Sequence, residues 1–345
     1  LIVHQQHHGG NIYRAAAILG CRPDAIRDYS SNVADSQPAV VKDLDLPRLL
    51  GRLPEPHSHT LRAALAAHYQ IAPENICVSA GTSEAIERLC ALFAGKRVTI
   101  FTPTYSDYQH FAHAAALDIT SVVAPAPDYA FTLDDMCIDS ELCFLCQPNN
   151  PTGTSVARTD LVALIARHPA TLFVVDESYL PFHLEEESLS LTTQLSANLL
   201  VLRSFSKIHG LPGLRLGFTL SGNRELTAEL EQRCSPWNVN CPAQELGLRL
   251  IDIDNRPMAQ RIAAQRRQLL SELDSFPWLQ TLPSTVNFIL CRLQGRRAAE
   301  LFEHCLARRV LIRDCGNFEG LVGEHIRFSI KNDMTPLLTA FRELA

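Results

Sequence analysis

Residues 201–218 read VLRSFSKIHGLPGLRLGF, an apolar run that stops on two hydroxyls and one amine, Lys207, and resumes after a Gly-Leu-Pro-Gly turn with a single cation, Arg215. An amine held at the mouth of a buried strand is a nucleophile and a proton carrier. Other apolar runs end on chemistry too. In SAGTSEAIERL, Gly81, Thr82 and Ser83 stand where a strand turns into a helix, and backbone N–H groups there favour an anion such as a phosphate. In FTPTYSDY, Tyr105 is placed to cover a flat ligand. CQPNNPTG puts Asn149 and Asn150 on a proline-flanked loop, and FVVDESY ends on Asp176 with Tyr179 three positions on.

Each feature has an ordinary explanation. Thr and Ser before a helix are caps, an aromatic at a loop packs the rim, Asn and Pro make turns, and Asp caps helices. Lysine at a strand end is commonly just a solvated charge. The combination is less ordinary: an anion cup, a stacking ring, an amide, a carboxylate, a phenol and an amine at successive strand ends. Pyridoxal 5'-phosphate presents the matching set of phosphate, flat ring, phenolic oxygen, ring nitrogen and aldehyde.

The elements that must carry these groups are legible as apolar runs alternating with helical patterns: NICVSA, RVTIFTP, ITSVVA, LCFLCQP, TLFVVDE, LLVLRSF and LRLGFTL. Several lack polar alternation, as strands covered on both faces do. A helix over residues 83–93 carries the stripe Ile86, Leu89, Leu92 and Phe93 and ends at Gly95. The succession predicts an α/β domain with a mainly parallel sheet, whose ligands sit beyond the strands' carboxyl ends. After about Trp237 the pattern changes to a long helix over 258–273, strand-like VNFILCRL, helical AAELFEHCLARR, and strand-like VLIRDC and HIRFSIK. We expect a large domain over 36–236 and a smaller α+β domain built from 1–35 and 237–345.

Composition limits the partners. With 345 residues, a net charge of -6 and 46% hydrophobic residues, the chain is globular and lacks the clustered basic surface that nucleic acid or an anionic membrane requires. The eleven cysteines are scattered and odd in number, which suits a reducing, cytoplasmic compartment. Cys143 and Cys146 spell C-x-x-C, but on a strand this spacing points them to opposite faces, so they read as small core residues. No run reaches membrane-spanning length. A metal site built from the HQQHH start finds no completing ligands elsewhere, and no metal is expected.

PNNPTG, VVDESY and SFSK followed by GLRLG resemble the fold type I pyridoxal-phosphate enzymes, in particular the histidinol-phosphate aminotransferase group. HGGN at 8–11, SPWNVN at 235–240, LIRDCGNFEGL and IRFSI are similar to the threonine-phosphate decarboxylase family of cobalamin synthesis within that group. The likeness runs over nearly the whole chain. It implies that Lys207 condenses with the cofactor aldehyde and moves protons, and that Asp176 pairs with the ring nitrogen. Asn150 and Tyr179 would bond the phenolic oxygen, and Tyr105 would stack on the ring. Gly81, Thr82, Ser83, Ser204, Ser206 and Arg215 would cradle the phosphate. Arg327 would fork onto a substrate carboxylate, while His8, Gly9, Asn32 and Arg313, with Asn150, would complete a site for a small phosphorylated amino acid. The family assembles as homodimers.

Two departures stand out. Leu53-Pro54 replaces a Tyr-Pro whose tyrosine reaches a neighbouring subunit's cofactor phosphate, leaving His57 or His59 to replace it, and SSNVADSQP lacks the usual Asn-Pro-x-Gly after Asn32. The expected reaction is decarboxylation of threonine phosphate. The rival within the fold is a histidinol-phosphate aminotransferase, which needs a keto-acid acceptor; the rival of another class is a silent ligand-binding or regulatory module, against which the intact lysine and aspartate count.

Overall fold

The computed structural model describes residues 8–344, so the HQQHH start, apart from His8, lies outside the described residues. The first strand, β1, is only Arg27–Asp28. It is followed by β2 (Ile76–Ser79), β3 (Arg97–Thr102), β4 (Asp118–Val123), β5 (Leu142–Cys146), β6 (Leu172–Asp176), β7 (Leu199–Ser204) and β8 (Gly217–Ser221). These seven form one sheet in the order β2-β8-β7-β6-β5-β3-β4. Neighbours from β7 through to β4 run parallel, and β8 runs antiparallel to both β7 and β2.

The absence of polar alternation in the central strands has a simple cause. Leu142, Phe144, Val174, Leu200 and Leu202 pack into one core cluster, whereas Cys143, Leu145, Phe173, Val175, Leu199 and Val201 pack into another. Alternate residues of the same strands therefore enter separate cores on the two faces, and each buried Leu, Val or Phe contributes roughly 1.5–3 kcal/mol. Cys143 and Cys146 fall on opposite sides, as the period of two requires.

The C-terminal strands are β9 (Leu279–Thr281), β10 (Phe288–Leu293), β11 (Val310–Leu311), β12 (Arg313–Asp314) and β13 (His325–Ser329). β12-β13-β10-β9 form an antiparallel sheet, and β11 pairs in parallel with β1, so the N-terminal segment joins these elements directly. The expected single strand VLIRDC is corrected here: it divides at Ile312, its first half pairing with β1 and its second with β13. No Gly or Pro marks the break, because the change of partner comes from which backbone lies alongside.

Helices also follow the pattern. The helix Thr82–Leu92 buries Ala85, Ile86, Leu89 and Cys90. The long helix begins slightly earlier than expected, spanning Arg256–Leu273 with Pro257 in its first turn, where a missing N–H costs nothing. Among the described residues no helix is long and apolar enough to cross a membrane.

Candidate active site

Parallel strands deliver their carboxyl ends to one edge of a sheet, and β8 then inserts between β7 and β2. Gly217 at its start is in register with both Ser204 and Ser79. Arg215, two residues before it, must therefore arrive between the turn at Gly81 and the loop carrying Ser206 and Lys207. The approach is tight: a Cβ on Gly81, whose φ is +83°, would lie 2.5 Å from Arg215 Nη2, and one on Gly217 would lie 2.8 Å from Thr82 N. Arg215 itself adopts φ 53°, a left-handed conformation that costs a non-glycine residue of order 1–3 kcal/mol.

The result is a cavity of about 120 Å³ with sharply divided walls. Gly81, Thr82, Ser83, Ser204, Ser206 and Arg215 line one end, with a guanidinium, hydroxyls and a helix N-terminus. The hydroxyl of Ser206 is buried and without a partner. Asp176 and Cys146 line it from the ends of β6 and β5, Tyr105 and Tyr179 supply rings, and Lys207 supplies the amine. Lys207 Nζ lies 5.6 Å from the centre of the Tyr179 ring, and its carbonyl is held by the N–H groups of Ala34 and Gly210 at 3.0 and 3.3 Å.

Asp176 is buried to 4% exposure. Burial drives its pKa up, opposed by hydrogen bonds from Ser178 and Tyr108 and by the charge of Lys207. Tyr108 donates to Oδ2 at 2.9 Å and the backbone N–H of Ser178 to Oδ1 at 2.9 Å, so both oxygens are fixed. The Tyr108 ring stacks on Phe144 at 5.0 Å. Next along the chain, Glu177 is fully buried and paired with Arg203 Nη1 at 3.0 Å, which braces the end of β6 against β7.

Beside this cavity lies a second polar group. Arg327 is 4% exposed; it donates to Asn150 Oδ1 and, at 2.9 Å, to the carbonyl of Ser30, while its Nε is buried and unpartnered. Arg313 stands opposite it in register, 2% exposed, donating to Asn317 Oδ1 at 2.6 Å and lying 5.1 Å from the Phe318 ring centre. Burial pulls the Arg313 pKa down to about 10, and burial also lowers that of Arg327. Arginine side chains stay protonated in proteins, and an anion beside two cations so placed lowers the cost of burying them. Asn32 accepts from Ser329 Oγ at 3.1 Å and makes a long 3.5 Å contact to Tyr179 Oη, joining the two groups.

Ten of the eleven expected cofactor residues thus line one cavity, and Asn150 lies instead against Arg327. His8 pairs with Asp107 at 2.9 Å, and Gly10 N donates to Ser30 Oγ at 2.7 Å, so the segment after His8 is placed against the site. Asn149 is a brace: it donates to the Pro103 carbonyl at 2.8 Å and accepts from Thr104 at 2.9 Å. Sequence reasoning missed Tyr108, Ser178, Cys146 and Asp107. Tyr108 carried a signal, since it stands three residues after Tyr105, in the first turn of the following helix. Among the described residues no group of three or more His, Cys, Asp or Glu is arranged to hold a metal ion.

The arrangement fits pyridoxal phosphate on its own chemistry. A cup that any Cβ at Gly81 would fill, an unpartnered buried hydroxyl at Ser206, a fixed buried carboxylate and an amine lie around one ring-lined space.

Comparison with known proteins agrees. The family described as aminotransferase class I and II matches residues 28–341. The chain is 29% identical over 341 residues to threonine-phosphate decarboxylase of Salmonella typhimurium, covering 94% of this chain and 92% of that protein. It is 30% identical to histidinol-phosphate aminotransferase of Caldanaerobacter subterraneus subsp. tengcongensis, covering 84% of each. The crystal structure of L-threonine-O-3-phosphate decarboxylase from Porphyromonas gingivalis superimposes with a TM-score of 0.80 at 26% identity, covering 92% of this chain and 98% of that one.

Proposed function

Since this chain belongs to the aminotransferase class I and II family, whose members depend on pyridoxal phosphate, we propose that it decarboxylates L-threonine O-3-phosphate to 1-aminopropan-2-ol phosphate in cobalamin biosynthesis. The observation that carries this reading is the juxtaposed pair Arg313 and Arg327, two buried guanidinium groups beside the lysine cavity. A substrate with one carboxylate and one phosphate satisfies both. The near full-length likeness to a threonine-phosphate decarboxylase supports the choice.

When bound, pyridoxal phosphate supplies an aldehyde that condenses with amines and a ring that accepts the electron pair released at Cα. Arg215, Ser204, Ser206 and the N–H groups opening the helix at Thr82 would hold its phosphate. Asp176 would keep a proton on the ring nitrogen, its own oxygens fixed by Tyr108 and Ser178. Tyr179 would bond the phenolic oxygen and Tyr105 would cover the ring. Asn150, its Oδ1 held by Arg327, would have only its Nδ2 to offer the phenolic oxygen. Lys207 Nζ would yield its place to the substrate amine and carry the proton returned to Cα. Arg327 would grip the substrate carboxylate, while Arg313, His8 and Asn32 would receive its phosphate. By fixing the direction of the substrate carboxylate relative to the cofactor, Arg327 would select which bond at Cα is released, so the carboxylate clamp would choose between decarboxylation and transamination.

The same residues serve a histidinol-phosphate aminotransferase, and the comparable 30% identity to one favours this as the second reading. Incubation with O-phospho-L-threonine, with and without 2-oxoglutarate, separates them. Carbon dioxide released without the keto acid is expected; glutamate formed only with it would overturn the decarboxylase reading. A homodimer is also proposed, because Leu46, Leu50, Leu53 and Trp237 are exposed on and beside the segment that in the family reaches a neighbouring subunit.

A further inference from the structure

We propose that Asp107 is a positioning residue that fastens two parts of the site to one carboxylate, the N-terminal arm through His8 and the cavity-lining ring of Tyr105. The roles of His8 and Tyr105 rest on the reading above; the geometry of the triad does not.

Asp107 opens the helix Asp107–Ala114 and is 8% exposed. An acid in a first turn commonly serves only the helix dipole. Here both oxygens reach outside the helix. Tyr105 Oη donates to Oδ2 at 2.6 Å, and His8 Nε2 lies 2.9 Å from Oδ1. Burial pushes the Asp107 pKa up, but the bonds from His8 and Tyr105 outweigh it and hold the carboxyl below its ordinary range. The His8 ring then rests 5.8 Å from that of Tyr105, centre to centre.

The arm is tied on its other side as well. A Cβ on Gly9 would fall 2.1 Å from the Ser30 carbonyl oxygen, so only glycine permits this approach. Gly10 N bonds Ser30 Oγ, and the Ser30 carbonyl accepts from Arg327. Residues 8–10 therefore bridge from the helix that Asp107 opens to Ser30, whose carbonyl holds Arg327. Without Asp107, residues 8–10 keep the Ser30 tether and the core packing of the helix Ile12–Leu19 behind them but lose the anchor at His8. The Tyr105 hydroxyl loses its 2.6 Å bond, while the ring keeps its contact with Tyr108.

The test uses the pyridoxal-phosphate-loaded protein without substrate and two readouts: backbone hydrogen exchange over residues 8–16, and visible circular dichroism of the bound cofactor, which reports ring environment. In Asp107→Ala, exchange should rise about tenfold and the dichroism should change. His8→Ala should reproduce only the exchange change, and Tyr105→Phe only the dichroism change. Asp107→Asn, which keeps the shape and one acceptor, should fall between, and it serves if the alanine variant does not fold. With substrate, KM for O-phospho-L-threonine should rise more than kcat falls. Exchange within about twofold of the unmodified protein in both Asp107 variants, or unchanged dichroism in both, would overturn the proposal. The first two readouts need no turnover, so they stand or fall separately from the decarboxylation reading.

Discussion

Arg313 and Arg327 face each other across the antiparallel β12–β13 pair, both almost wholly removed from water. Neighbouring buried cations raise each other's cost, and an anionic ligand offsets it. Charge-assisted hydrogen bonds contribute about 1.5–3 kcal/mol each, or roughly 10–100-fold in affinity. Arg313→Ala should therefore raise KM for O-phospho-L-threonine by about that factor while leaving weak binding of unphosphorylated threonine little changed. Equal losses for both compounds would remove Arg313 from the phosphate site.

Lys207→Ala should abolish the visible absorbance of a lysine-bound cofactor and cut carbon dioxide release by at least about 10³-fold, since both the amine and the proton carrier go. The protein should still bind pyridoxal phosphate through its phosphate cup. Turnover near the unmodified rate would sink the mechanism outright.

Gly81→Ala places a Cβ 2.5 Å from Arg215 Nη2 at a backbone φ of +83°. Arginine must move, and the turn is strained by about 1–3 kcal/mol. The expected outcome is a loss of cofactor affinity of about tenfold or more, read by fluorescence titration, with a smaller drop in the urea midpoint.

Asp176 has a pKa raised by burial, so in the cofactor-free protein its favourable contribution is complete below the ordinary carboxyl pKa and is lost as pH rises through the raised value. A bound ring cation reverses this by favouring the ionised form. Urea midpoints of the cofactor-free protein should fall across that window, and Asp176→Asn should flatten the curve. Tyr108→Phe removes a bond to the carboxylate, which moves its pKa further up and shifts the acid limb of the kcat/KM profile to higher pH. A profile left in place would show that Tyr108 only packs.

Much of the site was legible because parallel sheets put their chemistry at strand ends, and strand ends are local features. Lys207 after β7, Asp176 closing β6 and the Gly81 turn after β2 are each marked by an apolar run that stops on a polar group. Their convergence followed from one topological rule. The C-terminal strands were harder, since VLIRDC reads as one strand but takes two partners.

Residue order alone determined the alternation of elements, the double-sided burial of the central strands and the inventory of groups for one cofactor, because periodicity and turn chemistry act over a few positions. Only the folded chain decided which groups meet across long separations: Arg327 with the Ser30 carbonyl 297 residues away, Tyr108 beneath Asp176, and His8 on Asp107. Those contacts depend on which strand lies beside which and how segments cross. No short-range pattern encodes that choice; it is settled by the packing that buries both sheet faces at once.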